Sequence, residues 1–241
     1  MGRYSPRDIL VLAVIAGLFV WFYFFRGQSV GPEQIASILF LGAALLVAIT
    51  IHEFSHAFVA LLLGDRTAQM LGRVSLNPIR HLDLYGTLAF IFFHFGWGKP
   101  VPINPYNMKS VNPLVGAAIT AIAGPTSNVV LAILATIALR LARGSADPLA
   151  LSFLQLLAQL NILLAAFNFM PIPPLDGFSL ARLVLPRHIS GWLEQYGFFV
   201  LIALIFLPQF LGRQFDILGQ IMGPLQAIIT GIVRSVALTV T

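Results

Sequence analysis

Apolar positions in this chain do not alternate with polar ones. They gather into long runs divided by short polar stretches rich in Asn, Pro and Gly. Six such runs lie at about 9–25, 35–63, 113–141, 150–170, 192–211 and 215–233. Each approaches or exceeds the roughly 17–25 apolar residues that a helix needs to cross a bilayer. Pro208 and Pro224 interrupt the last two. The first run ends in Trp21-Phe22-Tyr23-Phe24-Phe25, an aromatic belt of the kind that seats a helix at the membrane surface. A small-residue cleavage site is missing there, so the run reads as a retained helix rather than a signal peptide. A shorter apolar piece, Leu88–Trp97 between Gly86 and Gly98, is short for a span and reads as re-entrant or interfacial in preference to a seventh helix, which would flip every later orientation and weaken the charge bias.

The connection from Gly64 to Asn112 has a different texture. Gln69–Leu76 and Lys99–Asn104 read as short strands, with Asn77-Pro78 and Asn104-Pro105 as turns. Pro100 and Pro102 alternate in the second strand, which disables hydrogen bonding along one edge and leaves Val101 and Ile103 to bond along the other. That arrangement fits an ordinary capped sheet edge. It fits equally an edge that takes an extended peptide by strand addition. The expected fold is therefore all-α and polytopic, with about six transmembrane helices and a small membrane-associated β element between the second and third.

Composition agrees. Of 241 residues, 58% are hydrophobic and 10% charged, and mean hydropathy is +0.89, whereas soluble domains carry roughly 25% charged residues. The net charge of +5 is explained by topology, not by a basic–aromatic nucleic-acid surface. With the N-terminus in the cytoplasm, ten of the fourteen Lys and Arg fall inside, and Arg26, Arg140, Arg143 and Arg213 fall outside. This orientation directs the second half of the 35–63 helix towards the cytoplasm. The chain has no cysteine, so it makes no disulfide, and any metal must be held by His, Asp or Glu.

Within that helix stands His52-Glu53-Phe54-Ser55-His56. Histidines four residues apart share one helical face and can share a metal, with Glu53 beside them. Ionisable residues are rare in lipid-embedded helices and usually functional, so a purely structural polar cluster is the weaker reading. A catalytic zinc takes three protein ligands and an open position. Asp176 is the best third ligand. It follows the proline-broken end of the 150–170 helix (Asn168-Phe-Met-Pro171-Ile-Pro173-Pro174-Leu-Asp176-Gly177), where an ionised carboxylate is costly unless it is paired. Zinc lowers the pKa of a bound water towards about 7, and Glu53 is placed to take its proton. Asn168 is placed to donate a hydrogen bond to a developing oxyanion. Gly116, Thr120, Gly124 and Asn128 form a stripe at four-residue spacing that lets helices approach closely, with Asn128 as interhelical glue. His81 reads as a solvated loop residue, His94 as interfacial and His188 as a cytoplasmic surface residue.

Three separated motifs, His52-Glu53-x-x-His56, Ala123-Gly124-Pro125-x-x-Asn128 and Asn168-x-x-Pro171-x-Pro173-Pro174-Leu175-Asp176-Gly177, resemble those of the site-2 protease family of intramembrane zinc metalloproteases. Gly96–Pro105 is similar to a further recurrent segment of that family. The resemblance covers about Ile35 to Arg187. It implies Zn2+ held by His52, His56 and Asp176, Glu53 as the catalytic residue, and Asn168 assisting near the scissile bond. It also implies cleavage in or near transmembrane segments of other proteins, in regulated intramembrane proteolysis or in clearing signal-peptide remnants. Leu84 stands where many relatives have Pro, and no PDZ or CBS domain is visible. The expectation is a single domain, 1–241, with a core at about 35–187. The helices at 9–25 and 192–233 are possible gates.

The expected location is a prokaryotic cell membrane, with the active site towards the cytoplasm. The expected partners are transmembrane protein or peptide substrates, the lipid bilayer and a regulatory membrane partner, and not nucleic acid. The competing reading is a metal-ion transporter or sensor using the same His/Glu/Asp site. Against it stand the single metal site and the lack of an inverted repeat or His-rich loop.

Overall fold

The structure is a computed structural model, and it describes residues 31–83, 86, 98–144 and 146–239. The expected first helix at 9–25, the segment 88–97, Leu84 and His94 lie outside the described residues. Within them are five helices long and apolar enough to cross a membrane: Ile35–Leu62, Pro113–Leu141, Pro148–Asn168, Arg187–Pro208 and Ile217–Thr239. The chain runs α1 (Pro32–Leu62), a four-residue turn α2 (Thr67–Met70), α3 (Pro113–Leu141), α4 (Pro148–Asn168), a short α5 (Gly177–Ala181), α6 (Arg187–Leu211) and α7 (Ile217–Thr239).

One local device begins four of the helical segments. Asn77-Pro78, Asn104-Pro105, Asn112-Pro113 and Asp147-Pro148 each place an acidic or amide side chain at the cap and proline at the first helical position. The cap oxygen accepts the N–H two residues on, while proline brings no N–H of its own to satisfy. α3, α6 and α7 run through Pro125, Pro208 and Pro224 without ending. The expected interruptions at Pro208 and Pro224 therefore do not occur. In lipid, neighbouring helices and local adjustments tolerate a proline that would break a soluble helix.

Small residues hold α1, α3 and α4 together. Ala44 from α1, Ala135 from α3 and Leu157 and Ala158 from α4 form one apolar cluster. Ala132, Ile162, Ala165 and Ala166 meet Ile229 and Val233 of α7 in another. Alanine at these positions lets backbones approach closely, which is what drives helix association where there is no water to expel. The predicted stripe is buried at all four positions, Gly116, Thr120, Gly124 and Asn128. α6 leans on the loop after α4 through Leu201, which packs with Met170 and Leu175. At Gly197 the two come so close that a Cβ would lie 2.6 Å from Pro173 Cδ.

The β element does not form. Among the described residues the only pairing is an isolated antiparallel bridge, Leu82–Gly98. Gln69 and Met70 lie in the helical turn α2 instead of a strand. Among the described residues the 99–104 segment has no ladder partner; its two ends are held by separate hydrogen bonds. At one end Lys99 N donates to His81 O (2.8 Å), and Arg73 Nη2 donates to Lys99 O. At the other end Asn104 N donates to Asp65 Oδ2 (2.6 Å).

Asp65 is fully buried and also accepts from Thr67 N (3.0 Å), Thr67 Oγ1 (2.5 Å) and Asn107 Nδ2 (3.0 Å) on Oδ1. Burial pushes its carboxyl up, but the bonds from Thr67, Asn104 and Asn107 outweigh burial and hold it below its usual value. His81 is not solvated as expected; it is 1% exposed, with Nε2 2.6 Å from Ser75 O. Burial pushes its imidazole below the usual histidine value. His188 is exposed, as expected.

Candidate metal centre

α1 turns His52 and His56 inward, and the broken stretch after α4 brings Asp176 up to them. The three side chains meet at single atoms. His52 Nε2 lies 3.1 Å and His56 Nε2 3.2 Å from Asp176 Oδ2, and the two nitrogens are 3.0 Å apart. This is a near-equilateral triangle, formed by residues 120 or more positions apart in sequence at its long joins.

The opposite ring nitrogens settle what the triangle is made of. His52 Nδ1 is 2.6 Å from Asn128 Oδ1, and His56 Nδ1 is 2.7 Å from the Thr120 carbonyl oxygen. Both partners only accept, so in the neutral rings both Nδ1 atoms carry the proton and both Nε2 atoms present lone pairs. Asp176 Oδ2 is buried and has no hydrogen-bond donor among the described residues. Three electron-rich atoms facing one another in a buried place need a cation between or beside them. Tetrahedral zinc, with bonds of about 2.0–2.2 Å, sets its ligand atoms about 3.3–3.5 Å apart, within a few tenths of an ångström of this triangle. The donor set fits zinc, and His52, His56 and Asp176 could hold it.

Gly124 leaves the room. A Cβ there would overlap His56 Nε2 and stand 2.6 Å from His52 Cε1. The stripe on α3 thus does more than pack helices: its members clear space for the rings, accept from His56 and accept from His52. The spacing showed the shared face; what faces it could not be read without knowing that α1 lies opposite.

A cavity of about 570 Å³ opens beside the triangle. All seven residues singled out in the sequence line it: His52, Glu53, His56, Val101, Ile103, Asn168 and Asp176. Glu53 is half-buried, and its carboxylate hydrogen-bonds to no protein group among the described residues. Asn168 Nδ2 donates to Leu164 O (3.0 Å), and among the described residues its second N–H and its side-chain carbonyl have no partner. Part of the remaining wall comes from α6, with Phe198, Leu201 and Ile202, none of which the sequence pattern had marked.

A buried His–His–carboxylate site beside a glutamate, set in a bundle of membrane-length helices, defines a membrane-embedded zinc metalloprotease. The chain belongs to Peptidase family M50, the site-2 protease family. The profile of that family matches residues 139–208, a span that takes in Asn168 and Asp176. The chain is 38% identical over 179 residues to "Putative zinc metalloprotease YwhC" of Bacillus subtilis, covering 70% of this chain and 81% of that protein. It is 30% identical over 222 residues to "Putative zinc metalloprotease Rip2" of Mycolicibacterium smegmatis, covering 86% of this chain and 82% of the relative. The Rip2 of Mycobacterium tuberculosis is 30% identical over 186 residues, or 73% and 69% of the two chains. No solved structure matches. The protein is thus a multi-pass membrane zinc metalloprotease, and the transporter reading is not favoured.

Proposed function

We propose that His52, His56 and Asp176 hold the zinc, that Glu53 moves the proton, and that the substrate is a segment of another membrane protein cut within or near the bilayer. The convergence of two imidazole lone pairs and a donor-less carboxylate at one corner of the cavity carries this reading. Bound zinc supplies Lewis acidity and an activated water. Glu53, on the same cavity and without a hydrogen-bond partner among the described residues, would serve as the group that accepts a proton and returns it to the leaving amine. The uncommitted N–H of Asn168 is placed on the cavity wall to donate to the oxygen that gains charge.

The substrate must arrive unwound, because a helical peptide bond has its carbonyl bonded and wrapped in side chains. Val101 and Ile103 line the cavity, and their N–H groups donate no hydrogen bond among the described residues. A single extended peptide could pair with them without any sheet being present beforehand. α6 closes the side of the cavity and, with α7, serves as the gate; the catalytic core is about 35–187. The charge bias supports a site towards the cytoplasm, and the bacterial sources of the relatives support a prokaryotic cell membrane.

Glu53→Gln is the deciding variant. It should retain one zinc and bind membrane substrates without cutting them, so that they can be captured and identified. Continued cleavage by that variant would remove Glu53 from the mechanism. Val101→Pro combined with Ile103→Pro should slow cutting while zinc stays bound, and unchanged turnover would remove the edge-pairing idea. Gly or Pro introduced near the cut site should speed cleavage by easing unwinding.

A further inference from the structure

We infer that Asn161 and Asn128 are positioning residues that set the orientation and proton placement of the His52 ring from a backbone carbonyl two helices away. The inference rests on the reading of His52 as a zinc ligand. The three side chains come from three helices, and Asn128 and Asn161 are both fully buried.

The direction of the relay is forced at each step. Leu157 O, a backbone carbonyl of α4, can only accept, so Asn161 turns its Nδ2 towards it at 2.8 Å. That leaves Asn161 Oδ1 facing Asn128, which must present Nδ2 there, at 2.7 Å. The second Nδ2 proton of Asn128 points to Ala48 O at 3.3 Å, so both of its donors are used inside the bundle. Only Asn128 Oδ1 is left for His52, and it receives the Nδ1 proton at 2.6 Å. Nε2 is then left with its lone pair directed at the corner shared with His56 and Asp176. Flipping either amide would set two acceptors, or two donors, against each other in a place with no room for another partner. His56 needs no such chain, since its Nδ1 reaches the Thr120 carbonyl directly.

Two buried asparagines could instead serve only to hold α1, α3 and α4 together. The readings differ in what zinc affinity does. Partners behind a metal-ligating histidine typically change metal affinity about 10–100-fold, whereas helix glue acts on the whole fold, metal or no metal.

The experiment uses the full chain in detergent and measures the zinc dissociation constant by competition with a chromophoric chelator, together with the melting temperature of the zinc-free protein. Asn161→Ser is the informative variant, because the hydroxyl can bond back to Leu157 O and packing is little disturbed. It should weaken zinc binding about 10-fold or more although residue 161 does not touch the ligand. Asn128→Leu should do the same, and combining it with Asn161→Ser should add little, since both break one chain. Zinc affinity unchanged in Asn161→Ser, or in Asn128→Leu, would overturn the relay. His52→Ala in the same assay reports on the reading beneath. Unaltered affinity there removes His52 as a ligand, and lost affinity there with Asn161→Ser at wild-type affinity removes the relay alone.

Discussion

Asp65 and Asp176 both hold carboxylate oxygens away from solvent, and they are satisfied in opposite ways. Asp65 receives four hydrogen bonds, from Thr67, Asn104 and Asn107, and has no capacity left. Asp176 brings a buried Oδ2 to two imidazole nitrogens whose protons are committed elsewhere. A complete set of donors makes a carboxylate part of the scaffold. A set made only of acceptors makes it half of a binding site. The same residue type, equally costly to bury, serves architecture in one place and, in the function proposed above, metal binding in the other.

The largest effect that separates them is on zinc. Asp176→Asn should lose bound zinc and all measurable proteolysis, while Asp65→Asn should keep its zinc, as metal analysis of the purified proteins will show. If Asp176→Asn binds zinc as tightly as the parent, the contrast collapses. Gly124→Ala comes next and should move two measurements in opposite directions. Alanine favours a helix interior by about 1 kcal/mol over glycine, yet the added methyl overlaps His56. Zinc binding and cleavage should fall sharply while the zinc-free fold melts no lower.

Asp65→Ala should cost on the order of 1–3 kcal/mol of stability through the donors it strands, and should raise KM more than it lowers kcat. The reason for that split is that Asp65 pins the 99–104 segment at Asn104 and not the reacting groups. The smallest effect is on pH dependence. The folded carboxyl of Asp65 is held below its unfolded value of about 3.9, so its stabilisation is full above that pH and fades as pH falls through the folded value. Melting curves of the wild type and Asp65→Asn should therefore differ by a constant amount above about pH 5 and converge in more acidic buffer.

Much of the site was legible because its residues break the rules of their surroundings. Two histidines and a glutamate within five positions of an apolar helix, and an aspartate among prolines, have few structural explanations in lipid. The helix bounds were legible for the same reason, since long apolar runs leave little choice. The loop was not. Its polar, turn-rich composition suits a solvated connection, yet Asp65, Arg73 and His81 are buried in it, because each finds hydrogen-bond partners elsewhere in the connection: Thr67, Asn104 and Asn107 for Asp65, the Lys99 carbonyl for Arg73 and the Ser75 carbonyl for His81. The strands failed in a related way: alternation and proline placement describe an edge, but a strand exists only where a partner lies beside it. Asn128 was recognised as a polar group between helices, and its use by His52 depended on a facing helix that spacing alone cannot position.

The seat of α6 on the catalytic loop has a mechanical consequence. Gly197 rests against Pro173 with no space for a side chain, and its neighbours in sequence are Tyr196 and Phe198. Sliding α6 by one residue, or rolling it by a third of a turn, would drive an aromatic ring into the proline. The contact behaves like a keyed bearing: it forbids translation and rotation but does not resist separation. If α6 moves to admit a substrate, the permitted degree of freedom is a swing away from the loop about its junction with α7, and the return stroke restores a single register.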